Sequence, residues 1–451
     1  MERYDLSQEL AQDILRQAAR KGATAGDVVM VENDSFFVTV RLRELEKISQ
    51  AREKRLGLRL FFGSSSASAA TSDISRASIE RLVEETAQRA RATAQDPFAG
   101  LPPAEQLATA VPDLDLLDEE ARSLTVEDRI AVAARCEESA LAADARVTNS
   151  EGAEFSSEFA RVIYASSAGF SGEYRGSSFS QSVAPVASED GSMQRDYWYS
   201  ASRRFARLEP PEAVGRKAAE RAVRRLGARK IKTCEAPVVF DPETAASLMR
   251  LLASALSGYA LYKGASFLVG KLGVRIASDL VTVVDDGTIP GALGSRPFDA
   301  EGLPTRRTLV VENGALRSYL LDSYSGRKLG MTSTGNASRS VGEAPGVAPT
   351  NFYLAPGSHL PEAIIASVRQ GLYVTETIGF GVNLVTGDYS RGAAGLWIEN
   401  GELAYPVEEV TIAGNLLEML QSIEMIGSDL EMRGRISAPT LKIGRMTIAG
   451  D

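Results

Sequence analysis

The strongest constraint on the fold is a switch of apolar period near the start of the chain. Between residues 5 and 22, Leu10, Ala11, Ile14, Leu15 and Ala18 recur at helical spacing; Asp5 can cap with Gln8 three residues on, and Gly22 ends the run. The period then drops to two. Phe36, Val38, Val40 and Leu42 alternate with Phe37, Thr39, Arg41 and Arg43, and Leu56, Leu58, Leu60 and Phe62 alternate with Gly57, Arg59 and Phe61. Successive strand side chains point to opposite faces, so these runs predict half-buried strands. The small-residue run from Ser64 to Ser72 reads as a further strand, and Ile79, Leu82, Val83 and Ala87 predict a helix from Ser78 to Ala92. Residues 1–95 are therefore expected to form an α+β domain of helices and antiparallel sheet.

Pro97, Gly100, Pro102, Pro103 and Pro112 mark residues 96–113 as a linker. A central α+β domain is expected over 114–232. In it Thr125 caps a helix to Ala143, hairpin segments cover Phe159–Ala165 and Tyr197–Phe205, and a last helix runs from Pro211 to Leu226, with Gly227 beyond its end. Residues 233–451 read as a β-rich C-terminal domain. It opens with the strand Pro237–Phe240 and a helix begun by Asp241-Pro242-Glu243, and closes with a helix over Leu416–Ile426 and a strand over Thr440–Ile443. Asn313-Gly314 and Asn400-Gly401 each divide β-rich runs, which predicts two hairpins because both turn residues must take positive φ.

Composition narrows the chemistry. The 451 residues include one histidine, His359, and two cysteines, Cys136 and Cys234. A protein zinc site normally uses three or four His, Cys, Asp or Glu ligands, most often with His or Cys among them. HExxH and paired CxxC motifs are thus excluded, and His359 lies in the loop-like Pro356-Gly357-Ser358-His359-Leu360-Pro361. Two distant cysteines suit a reducing cytoplasm, and there is no run of 18 apolar residues to span a membrane and no signal-peptide pattern. With 59 acidic against 50 basic residues the net charge is −9, so the whole molecule does not attract nucleic acid. The segment Arg195–Lys232 is locally basic, but Arg216, Lys217, Arg221, Arg224 and Arg225 flank an apolar stripe and read as a solvated helix face.

There is no Walker phosphate loop, and Gly379-Phe380-Gly381 lacks the third glycine of a dinucleotide fingerprint. Ser325-Gly326-Arg327-Lys328 matches SxxK, the serine–lysine pair of penicillin-binding hydrolases, without the Ser-Asp-Asn and Lys-Thr-Gly that accompany it there. Longer motifs carry more weight: Lys263-Gly264-Ala265-Ser266-Phe267, Arg296-Pro297-Phe298-Asp299-Ala300-Glu301-Gly302, Ser325-Gly326-Arg327-Lys328-Leu329-Gly330, Ser333-Thr334-Gly335-Asn336-Ala337, Val385-Thr386-Gly387-Asp388-Tyr389-Ser390-Arg391-Gly392, Ile398-Glu399-Asn400-Gly401 and Thr411-Ile412-Ala413-Gly414-Asn415. In this order the chain closely resembles the TldD/PmbA family of bacterial and archaeal proteins linked to a zinc-dependent peptidase, over nearly its whole length.

The resemblance implies a metallopeptidase-like C-terminal domain and also shows a departure. The catalytic TldD branch carries HExxxH on a helix before the Lys-Gly segment and a cysteine ligand near the C-terminus. The matching positions here are Met249, Arg250 and Ser254, and Met432–Ser437 contains no cysteine. The glutamate that would take a proton from zinc-bound water is missing as well, and a guanidinium would repel a dication. The resemblance is therefore to the PmbA (TldE-like) branch. It implies a cytoplasmic, metal-free subunit that pairs with a zinc-bearing TldD-type partner to degrade or process unfolded peptides. Gly387, Asp388, Ser390 and Arg391 are the candidate substrate-cleft residues. The alternatives are a homodimeric, non-enzymatic peptide-binding or assembly protein and a hydrolase using Ser325 and Lys328.

Overall fold

Ser7 opens the first helix in the computed structural model, which describes residues 5–450. Helix α1 spans Gln8–Arg20, and the Ser7 hydroxyl accepts the Leu10 N–H at 3.1 Å. The expected cap, Asp5, lies too early for a helix starting there; its carboxylate meets Lys54 at 3.2 Å instead. Strands β1 (Ala25–Arg41), β2 (Glu44–Phe62) and β3 (Ser65–Thr71) follow, then helix α2 (Arg76–Ala92). After the proline-rich segment come α3 (Val126–Ala143), β4 (Val147–Ser166), β5 (Ser171–Glu189), β6 (Ser192–Arg195), β7 (Trp198–Ser202) and α4 (Pro211–Val223). Thr125 and Asp128 form a reciprocal capping box at the start of α3.

The strands on either side of the proline-rich segment share one sheet, ordered β3-β2-β1-β4-β5-β6, with β7 on β5. Val28 of β1 stands between Leu58 and Ala165, so this register places apolar residues of three strands on one face. Helices α1 and α2 cover that face around Val28, Met30 and Leu58; α3 and α4 cover it around Phe36, Val38, Phe155 and Phe179. Leu42 leaves the expected alternation. It and Arg43 take φ of 50° and 67° in the β1–β2 turn, a conformation costly for residues with a Cβ. Glu137 of α3 holds it there: its two carboxylate oxygens accept the Leu42 and Arg43 N–H at 2.9 and 2.8 Å.

The C-terminal part begins with β8 (Cys234–Phe240), α5 (Pro242–Ala255) and α6 (Gly258–Tyr262). It continues through β9 (Val283–Asp286), β10 (Arg307–Glu312), β11 (Ala315–Leu316), α7 (Ser323–Leu329), β12 (Ala337–Ser338), β13 (Gly346–Val347) and β14 (Phe352–Leu354). The last elements are α8 (Pro361–Ala366), β15 (Gln370–Ile378), β16 (Asp388–Glu399), β17 (Glu402–Asn415), α9 (Leu416–Gln421), β18 (Ile423–Ile426), β19 (Ile436–Ser437) and β20 (Leu441–Ala449). The sheet β17-β16-β15-β8-β20-β18 turns back on itself because β17 also pairs with β20. Both Asn-Gly turns form as expected, with Asn313 and Asn400 at φ of 47° and 51°. The helix expected over Leu416–Ile426 stops at Gln421, and the apolar residues after it pair with β20 as a strand. A short apolar run carries no periodicity that separates helix from strand.

The second face of the large sheet docks on the C-terminal part through buried charge. Asp27 of β1 and Arg59 of β2 are register partners on that face, with Asp27 0% and Arg59 7% exposed. Arg59 Nε donates to Asp27 Oδ2 at 2.9 Å; Arg339, far along the chain, donates to Oδ1 at 2.6 Å, and Glu301 lies 3.8 Å from Arg59. Tyr164, Phe170 and Phe298 pack beside this cluster. The proline-rich segment is docked as well: Arg327 donates to the carbonyls of Phe98, Gly100 and Leu101, and the Tyr324 hydroxyl donates to Asp96 at 2.7 Å.

Removing one member of a buried ion cluster leaves the others uncompensated, so Asp27→Ala should cost about 3–5 kcal/mol in denaturant unfolding. Glu301 supplies a pH test. Burial, with like charge from Asp299 and Asp322, pushes its carboxyl from 4.5 up to about 7 despite Arg59. The folded protein then holds a proton that the unfolded chain releases above pH 4.5, so stability falls as pH rises from there to about 7. Unfolding titrations across that window should show the slope in the parent and a flatter profile in Glu301→Gln.

Candidate functional site

Charged side chains converge where α4, α5 and the segment 429–438 meet. They line a cleft of about 510 Å³ whose walls include Trp198, Arg221, Arg224, Glu243, Tyr373 and Arg433. Asp241 caps α5, accepting the Thr244 N–H at 2.9 Å, and is 3% exposed. Burial pushes its carboxyl up, and Arg221 opposes that shift. Arg221 bridges Asp196 at 3.2 Å and Asp241 at 3.4 Å, while Arg225 reaches Glu376 at 2.6 Å. The expected solvated basic face is therefore only partly present. Arg216 and Lys217 are exposed, but Arg221 is 5% exposed and joins α4 to α5 and β15. Amphipathic spacing could not show this, because the acids that draw Arg221 inward lie on other elements.

The Trp198 ring is a platform for cations, with the Arg433 guanidinium 4.1 Å from its centroid and that of Arg221 at 5.2 Å. Tyr199 donates its hydroxyl to the Glu243 carboxylate at 3.1 Å, and burial pushes Glu243 above the usual carboxylate range. Arg224 differs from its neighbours. Its Nε and Nη2 are buried and meet no acceptor among the described residues, and burial, reinforced by Arg221, lowers its pKa. The cleft mixes cationic and acidic side chains on its walls, and the Glu243 carboxyl among them is raised above its usual range.

Helix α5 lines this cleft with Pro242, Glu243 and Ala246, while Met249, Arg250 and Ser254, singled out by the family resemblance, lie outside its lining and point apart. Met249 is 0% exposed among Leu248, Leu252 and Leu256 in the core. Arg250 and Ser254 face solvent, and the Ser254 hydroxyl donates to the Arg250 carbonyl at 2.9 Å. Across the cleft, Ile436 and Ser437 line the wall near Ala246, and Arg433 is bound to Glu209 and Glu431. A core thioether, a guanidinium and a hydroxyl do not fit zinc, and no three His, Cys, Asp or Glu converge to hold a metal among the described residues.

The other residues singled out in the sequence lie elsewhere. Gly387 directly precedes β16, and Asp388, Ser390 and Arg391 lie at the start of that strand, away from the lining of the cleft. Asp388 accepts the Thr386 hydroxyl at 2.6 Å, Arg391 clasps the Gly379 carbonyl, Ser390 is exposed and Gly387 takes φ 85°. Ser325 is 0% exposed and forms a capping box with Asp322 at the start of α7, and the Lys328 ammonium lies 4.1 Å over the Phe98 ring. That serine is a structural cap. His359 sits in an exposed loop. Burial pushes the Cys136 thiol up to about 12, and Cys234 is half-buried on β8. No helix among the described residues is long and apolar enough to cross a membrane.

A barrel-like sheet carrying this helix and cleft, joined to a large helix-covered sheet, defines a recognisable class. Family models match the PmbA/TldA metallopeptidase C-terminal domain over residues 233–450, the central domain over 119–226 and domain 1 over 26–94. The chain belongs to the PmbA/TldD family, as its sequence motifs implied. Among its relatives, the metalloprotease PmbA of Escherichia coli O157:H7 is 38% identical over 94% of this chain and 92% of that protein. A metalloprotease PmbA homolog of Haemophilus influenzae is 37% identical over 98% and 97%. A Bacteroides thetaiotaomicron crystal structure whose name refers to modulation of DNA gyrase superposes with a TM-score of 0.92 at 29% identity, covering 99% of this chain and all of that one. TldE from Thermococcus kodakarensis shares the fold, with a TM-score of 0.89 at 21% identity over 98% of this chain and 100% of that one.

The orphaned guanidinium gives a direct test. Replacing it by an apolar side chain of similar length removes donors that are buried without acceptors. Arg224→Met should therefore raise the unfolding free energy by about 1–2 kcal/mol, measured by urea denaturation.

Proposed function

We propose that this chain is the non-catalytic, PmbA/TldE-like subunit of a heterodimeric peptidase, with the zinc and the acid–base glutamate carried by a TldD-type partner. The observation that carries the reading is the chemistry of α5. At the positions where the catalytic branch has its ligands and general base stand Met249, Arg250 and Ser254. None of these can bind zinc and activate water, so peptide hydrolysis by the pair would depend on the partner. The role of this chain is then to complete the peptide-binding surface, with extended, unfolded peptides as substrates and the cytoplasm as its location.

Pairing also has physical support. Phe380 is 99% exposed at the turn beside Gly387–Arg391, with Ile378 and Val385 more than half exposed. Val269 is exposed in the adjacent segment, which meets this turn through the Phe267 N–H bonded to the Leu384 carbonyl at 2.7 Å. Apolar side chains grouped in this way favour contact with another protein surface. Gly387, Asp388, Ser390 and Arg391 then belong to the rim of the partner contact, where a substrate cleft distinct from the one beside α5 would form between the two chains.

Purification alone and together with an HExxxH-bearing relative tests the reading. The pair should contain one zinc and cleave an unfolded peptide, the isolated chain should do neither, and Phe380→Asp should weaken pairing at least tenfold. Stoichiometric zinc or cleavage by the isolated chain would overturn it. So would a stable homodimer that no HExxxH relative displaces.

A further inference from the structure

A second cavity, of about 580 Å³, lies between the large sheet, the docked segment 93–100 and helices α6 and α7. Three tyrosines line it: Tyr259 and Tyr262 from α6 and Tyr324 from α7. Their rings form a closed group, with centroids 5.4 Å apart for Tyr259–Tyr262, 6.1 Å for Tyr259–Tyr324 and 6.0 Å for Tyr262–Tyr324. Two of the hydroxyls are committed elsewhere, Tyr259 to the Pro345 carbonyl at 3.1 Å and Tyr324 to Asp96 at 2.7 Å. What these two residues offer the cavity is their aromatic rings.

Asp322 and Glu301 also line the cavity, and they are 0% and 1% exposed. Asp322 Oδ1 accepts the Ser325 N–H at 2.8 Å and the Ser325 hydroxyl at 2.5 Å. Its Oδ2 is buried, and no side chain among the described residues donates to this oxygen. Arg59 and Arg339 pair with Asp27, Arg59 also stands 3.8 Å from Glu301, and Arg59 acts on Asp322 at longer range. The carboxylates do not converge in a metal-binding group, and buried acids would repel an anion. Aromatic rings beside a carboxylate whose second oxygen is free suit a compact organic cation, which is held by the ring quadrupole and one charge-assisted hydrogen bond. The rings already attract cations from outside: Lys263 and Lys328 stand 6.0 and 5.9 Å from the Tyr262 centroid.

The geometry points to a primary-ammonium binding site, in which Asp322 Oδ2 accepts a hydrogen bond from the amine and Tyr259, Tyr262 and Tyr324 surround it. The amine is either the amino terminus of a peptide or a lysine side chain. The site goes beyond the pairing described above and needs neither zinc nor a partner, so it is tested on this chain alone.

The probes are pentaglycine, N-acetyl-pentaglycine amide and N-acetyl-lysine amide, titrated by calorimetry or NMR. At least one amine-bearing probe should bind about tenfold or more tightly than the amine-free one, and the better of the two identifies the source of the amine. Asp322→Asn should lower that affinity about tenfold while keeping the α7 cap, because asparagine caps helices as well as aspartate does. Tyr262→Leu, at a half-buried site that caps nothing, should also weaken binding. The proposal is overturned if all three probes bind equally or none binds at about 10 mM. It is also overturned if Asp322→Asn, shown folded by its unfolding midpoint, binds the amine as the parent does.

Discussion

The buried contact between Asp27, Arg59 and Arg339 is the interaction on which the arrangement of the molecule depends. Two strands of the large sheet supply Asp27 and Arg59, and a loop about three hundred residues later supplies Arg339. Charges removed from water in this way are tolerated only when their partners are in place. The sheet can therefore seat its second face in one position, with Glu301 beneath Arg59 and Phe298 against Tyr164. Apolar contact alone would hold the two parts together less specifically, since dispersion and area burial have little directionality. The same seating brings Arg59 and Glu301 to the edge of the tyrosine-lined cavity.

A second charged seam works similarly at the other junction. Arg221 points inward to Asp196 and Asp241 and so locks α4 against the N-terminus of α5. Asp241 thus has two roles, capping α5 and anchoring it to the central helices. The cleft beside it is polar, while further along α5 Met249 lies in the core and Arg250 and Ser254 face solvent.

Much of the local structure was legible in the sequence. The Thr125–Asp128 box, the Asp241 cap and both Asn-Gly turns all form, because each rests on interactions among residues a few positions apart. The strand around Leu56–Phe62 forms too, but it is buried on both faces rather than half-buried because its second face docks on the C-terminal part. Misreadings arose where distant residues decide the outcome. Leu42 leaves the strand because a carboxylate from α3 stabilises positive φ in a turn with no glycine or asparagine to announce it. Ile423–Ile426 becomes a strand because β20 offers an edge. Arg221 is buried because its acids come from the connection between β6 and β7 and from the α5 cap. The cleft and the tyrosine cavity were invisible for the same reason, since their walls combine segments separated by up to hundreds of positions.

By itself, the sequence determined what this chain cannot do at α5. Methionine, arginine and serine are not a zinc-and-base set in any conformation, and one histidine cannot be multiplied by folding. It also determined the family, because those motifs are strings of identity that need no coordinates. Only the tertiary structure decided which charges are buried, which guanidinium and which carboxylate oxygen are left without partners, and which aromatic rings meet. Burial and pairing are properties of the space between elements, and no local period or motif encodes them.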